Sequence, residues 1–182
     1  MTHIFINVRD RYITTRKLTE WCLSLPDVSV HLVDNASTYP LLLEWYKVTS
    51  ARVHYLGANL GPTGVFKPIG KYVRNGNYVI SDCDIDPTGV PRDTVERMNR
   101  ILAANPRIRK VGLAMRIADL PDNSLSDRVC ETEAKYWNRC ETTRDRCLAV
   151  SLELEHCRGG TGLLESRIEG KRTGDAGTAT EP

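Results

Sequence analysis

No apolar run in this 182-residue chain approaches the roughly 20 residues that a helix needs to cross a bilayer. The opening Met1-Thr2-His3-Ile4 lacks a basic segment ahead of an apolar core, so no secretory signal is read there and a cytoplasmic location is expected. Charge of one sign is also scarce: 25 Lys and Arg against 23 Asp and Glu leave a formal net charge of +2. The basic residues are scattered, which removes the electrostatic case for nucleic acid or an anionic membrane. Cys130, Cys140, Cys147 and Cys157 crowd one third of the chain, yet no Cys-x-x-Cys pair occurs. Their gaps are too wide and irregular for a zinc ribbon, and free thiols are expected. The first strand-like run leads into Arg9-Asp10-Arg11-Tyr12-Ile13, with no glycine, and no glycine-rich loop ends in Lys followed by Ser or Thr. The dinucleotide fingerprint and the P-loop are therefore both absent.

What the chain does contain is a regular alternation of strand-like and helix-like segments. His3 to Val8 reads as a buried strand, a helical pattern runs from about Thr15 to Leu25, and Pro26 closes it. Val28 to Val33 is a second strand, and Ser37 or Thr38 caps a helix whose Pro40 suits its first turn. Arg52 to Leu56 is a third strand; a short helix over Val65 to Val73 must accommodate Pro68. Tyr78 to Asp82 is the fourth strand, a helix follows to Leu102, and Lys110 to Met115 is a fifth. This alternation implies an α/β fold with an open, mainly parallel sheet flanked by helices. One domain is expected over residues 1–140, with a divergent segment over 141–182 that is helical from Glu141 to Glu155 and then a disordered tail.

Open α/β sheets bind ligands at the carboxyl ends of their strands. Three polar features fall at such ends: Asp34, the loop Asn59 to Gly64, and the run Asp82-Cys83-Asp84-Ile85-Asp86. If the backbone stays extended, the period of two sends Asp82, Asp84 and Asp86 to one side. Carboxylates so close repel unless solvated, protonated or shared by a cation, and Mg²⁺ or Mn²⁺ completed by substrate phosphates would relieve them. An acidic turn at a strand end is the alternative, as a turn and helix cap is for Asp34-Asn35-Ser37. His3, His31 and His54 alternate within strands and read as sheet residues rather than bases or ligands.

Val33-Asp34-Asn35-Ala36-Ser37, Leu56-Gly57-Ala58-Asn59-Leu60-Gly61 and Ile80-Ser81-Asp82-Cys83-Asp84 stand in order along the chain. Together they resemble the successive motifs of family 2-like, GT-A fold glycosyltransferases, over roughly Phe5 to Met115. The resemblance implies a GT-A, Rossmann-like fold that binds a nucleotide-diphospho-sugar, with a UDP-sugar favoured. It implies that Val8, Arg9 and Asp10 line the nucleoside pocket, that Asp34 contacts the base, and that Asn59 and Gly61 let the chain pass close to the donor. Lys67 would approach the diphosphate, Asp82 would lie near the ribose and the metal, and Asp84 would be the direct ligand of Mg²⁺ or Mn²⁺. Transfer to the hydroxyl of a glycan or other acceptor would proceed with inversion, the metal assisting departure of the nucleoside diphosphate.

Inversion also requires a carboxylate base, for which Asp119 and Asp122 are the candidates. Beyond Trp137 nothing resembles the family's acceptor half. A nucleotide-binding fragment or partner subunit without turnover, homo-oligomeric or joined to another chain, is thus a second expectation. A third uses Asp84-Ile85-Asp86-Pro87-Thr88, which fits the Asp-x-Asp-x-Thr pattern of haloacid dehalogenase-like phosphatases, with Asp84 as nucleophile and Asp86 as acid/base.

Overall fold

Val, Ile and aromatic residues dominate the first strand, β1 (Thr2–Val8), and the residues that alternate along it are buried on both faces. Such two-sided burial is what a central strand of a parallel sheet requires. The computed structural model describes residues 1–74, 76–113, 123–138 and 147–150. In it β1 pairs in parallel with β2 (Val28–Asp34) and β4 (Tyr78–Asp82), and β2 pairs in parallel with β3 (Arg52–Tyr55), giving the order β3-β2-β1-β4. The fold is α/β, with a parallel sheet flanked by helices.

The chain steps from β1 outward to β3 and then returns to the far side of β1 for β4. Helices α1 (Tyr12–Leu23) and α2 (Pro40–Tyr46) cover one face, where Ile4, Ile6, Val30 and Leu32 meet Leu18, Cys22, Leu42 and Tyr46. The opposite face holds a smaller cluster of Phe5 and Val33 against Val65 and Ile69. Those last two come from a 3₁₀ turn over Gly61–Val65 and from α3 (Phe66–Tyr72). Burying each such aliphatic side chain is worth about 1.5–3 kcal/mol, so register errors that expose them are strongly disfavoured. Burial also pushes the Cys22 thiol up to about 12, leaving it an inert core residue.

In α1 the buried stripe is Thr15, Leu18, Thr19 and Cys22, at helical spacing. Its threonines solve their own polarity: the Thr15 hydroxyl donates to Arg11 O, and the Thr19 hydroxyl to Thr15 O at 2.7 Å. Pro68 is the third residue of α3, where an amide would have no partner inside the helix, so it fits without breaking it.

The chain divides into two compact units, Met1–Arg100 and Ile101–Pro182. The division falls within α4 (Thr94–Ala104). Two expectations are corrected in the second unit. β5 (Lys110–Leu113) does not extend the four-stranded sheet; it pairs in parallel with β6 (Cys147–Val150), with α5 (Ser124–Asn138) between them in sequence. The segment expected to be helical from Glu141 instead carries β6, whose Leu-Ala-Val sequence suits a strand as readily as a buried helix turn. Residues 139–146 and the expected tail beyond 150 lie outside the described residues.

Candidate functional site

At the carboxyl end of β1 the chain turns through Asp10, which adopts a positive φ of 51°. The Asp10 carboxylate accepts the amides of Thr38 at 2.6 Å and Tyr39 at 2.9 Å, while its own amide donates to Ser37 Oγ at 3.1 Å. These backbone amides, Thr38 first, hold the Asp10 carboxyl below the usual range. The expected cap of α2 from Ser37 or Thr38 does not form: Tyr39 takes the cap position in an extended conformation with no side-chain cap bond, and Asp10 instead holds the amides of the two residues that lead into the helix. Val8 is 1% exposed, with its side chain in the core, whereas Arg9 is exposed.

Asp34 sits opposite Val8 in the sheet and is 3% exposed. Its carboxylate accepts the Ser37 amide and, at 3.0 Å, the hydroxyl of Tyr46 from α2. Burial, with Asp34 beside it, drives the Tyr46 hydroxyl far above its ordinary pKa, so it stays a donor. Next to it Asn35, 2% exposed, ties three segments together. Its Nδ2 donates to Asn7 Oδ1 and to Gly61 O at 3.1 Å, and its Oδ1 accepts the Leu60 amide at 3.0 Å. The glycine-rich loop is therefore held by Asn35, while the Asn59 side chain accepts the Gly61 amide within the loop at 3.0 Å. Gly57 and Gly61 use φ of 72° and 65°, conformations that suit glycine.

The acidic run does not stay extended. β4 ends at Asp82, and Cys83 and Asp84 form a turn. Cys83, 7% exposed, joins the core on the α1 side, while Asp82 lies opposite Asn7 on the other face. Asp86 binds Lys17 of α1 at 2.8 Å and accepts the Thr88 amide at 2.9 Å and hydroxyl at 2.7 Å. Lys17 above all, then Thr88, holds its carboxyl well below the usual range. The expectation that three carboxylates share one direction is corrected: the chain turns after Asp82, and Lys17 holds the third carboxylate. Asp82 and Asp84 are exposed, and among the described residues neither carboxylate has a hydrogen-bond or ion-pair partner.

One predicted residue falls elsewhere, and two cannot be placed. Lys67 lines a cleft with His54 and Lys71 on the β3 flank, and β4 is the opposite edge of the sheet. Asp119 and Asp122 lie outside the described residues. Asn7, Tyr46 and Lys17 had no role in the sequence pattern, and Asn35 stood there only in a turn and a motif. An asparagine directly after a strand-ending aspartate was a usable signal for Asn35; nothing local marks Tyr46 or Lys17, which act across the fold.

Mg²⁺ is commonly held by one or two carboxylates, with substrate phosphates and water completing its shell. Asp82 and Asp84 fit that donor set; among the described residues no group of three or more His, Cys, Asp or Glu is placed to hold a metal by protein alone. No helix among the described residues is long and apolar enough to cross a membrane. Compared with known proteins, the chain matches no family model, and no curated protein or solved structure matches it.

Proposed function

We propose that the chain is a GT-A-type glycosyltransferase domain that takes a nucleotide-diphospho-sugar, with a uridine-linked donor favoured. The observation that carries the reading is the pair Asp82 and Asp84, free of partners where the strand order reverses between β1 and β4. Ligands of open α/β sheets lodge at that kind of position. Asp82 and Asp84 would hold Mg²⁺ or Mn²⁺, which when bound supplies Lewis-acid charge neutralisation at the diphosphate. Arg9 contributes a cation at the adjoining strand end. Asp10, Asp34 and Asn35 act on the nucleoside through the loops they fix, those after β1 and β2 and the Asn59–Gly64 segment. Transfer would be a direct displacement on the sugar by an acceptor hydroxyl, with Asp119 or Asp122 as candidate base. Lys67 stands apart from this site.

The phosphatase reading is disfavoured by Asp86. A general acid works best with its pKa near the operating pH, and Lys17 holds this carboxyl in the opposite direction.

Calorimetric titration of nucleoside diphosphates with and without Mn²⁺ tests the proposal. Wild type should bind in a metal-dependent way, and Asp84→Asn should remove that dependence. Failure of the folded protein to bind any nucleoside diphosphate overturns it. Metal-dependent binding with no transfer to any acceptor would identify a nucleotide-binding partner subunit instead.

A further inference from the structure

The sheet face beneath α3 carries a histidine on each of three adjacent strands. His3 Nδ1 lies 2.9 Å from His31 Nε2, and His31 Nδ1 lies 2.9 Å from His54 Nε2. His31 is fully buried, with the Tyr72 ring 4.4 Å away. His54, at the outer end, opens into a cleft of about 260 Å³ whose other walls are Tyr55, Leu56, Lys67, Pro68 and Lys71. Lys67 and Lys71 stand one helical turn apart on α3, and Arg52, two residues before His54 on β3, lies over Tyr72 at 5.2 Å.

Among the described residues no carboxylate lines this cleft. Among the described residues Lys67, Lys71 and Arg52 have no acidic partner, whereas Arg16, Lys17 and Lys47 each have one. Two cations lining a concavity without an acidic partner, with Arg52 nearby on β3, create a positive potential that an anion would relieve. We propose that this cleft is a metal-independent oxyanion site, in which Lys67, Lys71 and His54 take a small ligand of the phosphate class. Its volume lies just below the roughly 300–1,000 Å³ of sites for drug-sized ligands, which suits phosphate or pyrophosphate better than a whole nucleotide.

His54 gives the site a proton response. The groups facing it are His31 from β2, Arg52 and Tyr55 from β3, and Lys67, Lys71 and Tyr72 from α3. Burial first, then Arg52 and Lys71, holds its pKa below the ordinary value. A bound anion opposes those cations, so His54 takes up a proton on binding. In the tautomers where His54 Nε2–H donates to His31 Nδ1 and His31 Nε2–H to His3 Nδ1, the ladder accommodates this without charging His31 and leaves His54 Nδ1–H for the ligand.

The test is calorimetry of the full chain with inorganic phosphate and with pyrophosphate, chelator present, in two buffers of different ionisation enthalpy. Saturable binding with net proton uptake is expected. The double variant Lys67→Gln/Lys71→Gln should weaken it by about tenfold or more, the scale of lost charge-assisted hydrogen bonds. Asp82→Asn/Asp84→Asn should leave it unchanged. Absence of saturable binding, or affinity unaltered in the lysine variant, overturns the proposal. Loss of binding in the aspartate variant also overturns it, by assigning the anion to the strand-end site. His54→Gln should abolish the proton uptake, and uptake that persists in it overturns the role of His54. If that variant does not fold, the wild-type His54 proton resonance decides: its titration must move to higher pH when phosphate is added, and an unmoved midpoint overturns that role. The site is independent of the proposed donor site, so failure of metal-dependent nucleotide binding leaves it standing, and the reverse.

Discussion

A Cβ placed on Gly64 would stand 2.7 Å from Oδ1 of Asn35, and equally close to Leu56 Cδ1. Asn35 cannot retreat, because the same amide group holds Leu60, Gly61 and Asn7. Gly64→Ala should therefore cost about 1–3 kcal/mol, the range for overpacking a fixed site. Gly70, inside α3 with open space around it, is the matched control, and Gly70→Ala should stabilise by about 0.5–1 kcal/mol. Urea unfolding of the two variants checks both signs. If Gly64→Ala is as stable as wild type, the Asn35 clamp is not rigid.

The Tyr46 hydroxyl and the Asp34 carboxylate form a buried pair between α2 and the end of β2. Tyr46→Phe keeps the ring and its packing while removing the donor. A hydrogen bond to a charged group contributes about 1.5–3 kcal/mol, and that loss is expected in denaturant unfolding. A loss well below it would mean that solvent or a loop amide replaces the hydroxyl, leaving Asp34 open to a ligand.

His31 makes the fold acid-sensitive. Burial, with His54 and His3 next in effect, lowers its pKa from 6.5 to about 4. Between those values the unfolded chain binds a proton that the folded chain refuses, so stability is full above about pH 6.5 and falls as pH drops toward 4. His54 is shifted in the same direction and adds to the loss. The slope approaches about 1.4 kcal/mol per pH unit for each proton, and it should flatten in His31→Gln. Urea midpoints compared at about pH 7 and about pH 5 decide it; equal midpoints in wild type would contradict the buried neutral ladder.

Strand positions were legible because β1, β2 and β4 carry continuous apolar or β-branched runs bounded by Asp, Asn and Pro, which periodicity reads well. The partners of the polar residues were not. Asp10 holds the entry to a helix from 28 residues away, Lys17 reaches Asp86 across 69, and Tyr46 reaches back to Asp34, pairings set by sheet order rather than by spacing. The acidic run misled for a local reason: strand pairing ends at Asp82 and the chain turns at Cys83 and Asp84, so the period of two does not carry on to Asp84 and Asp86. β5 misled because a run as short as Lys-Val-Gly-Leu suggests a strand but not its neighbour.

Ala36 occupies φ of 58°, immediately after Asp34 and Asn35 and before the Ser37 amide that Asp34 accepts. A left-handed conformation costs an L-residue with a Cβ roughly 1–2 kcal/mol, a penalty that glycine escapes. Against this, glycine gives the unfolded chain more freedom, worth about 0.4–1 kcal/mol in the other direction. The balance predicts that Ala36→Gly is neutral to about 1 kcal/mol stabilising, although alanine is the better residue almost anywhere else in a fold. Strain retained at a ligand-binding edge is a recurring sign of function. The same variant should therefore be assayed for metal-dependent nucleoside diphosphate binding. Gained stability with weakened binding would show that the strained turn presets the loop for the donor, whereas unchanged binding would reduce Ala36 to an unoptimised turn residue.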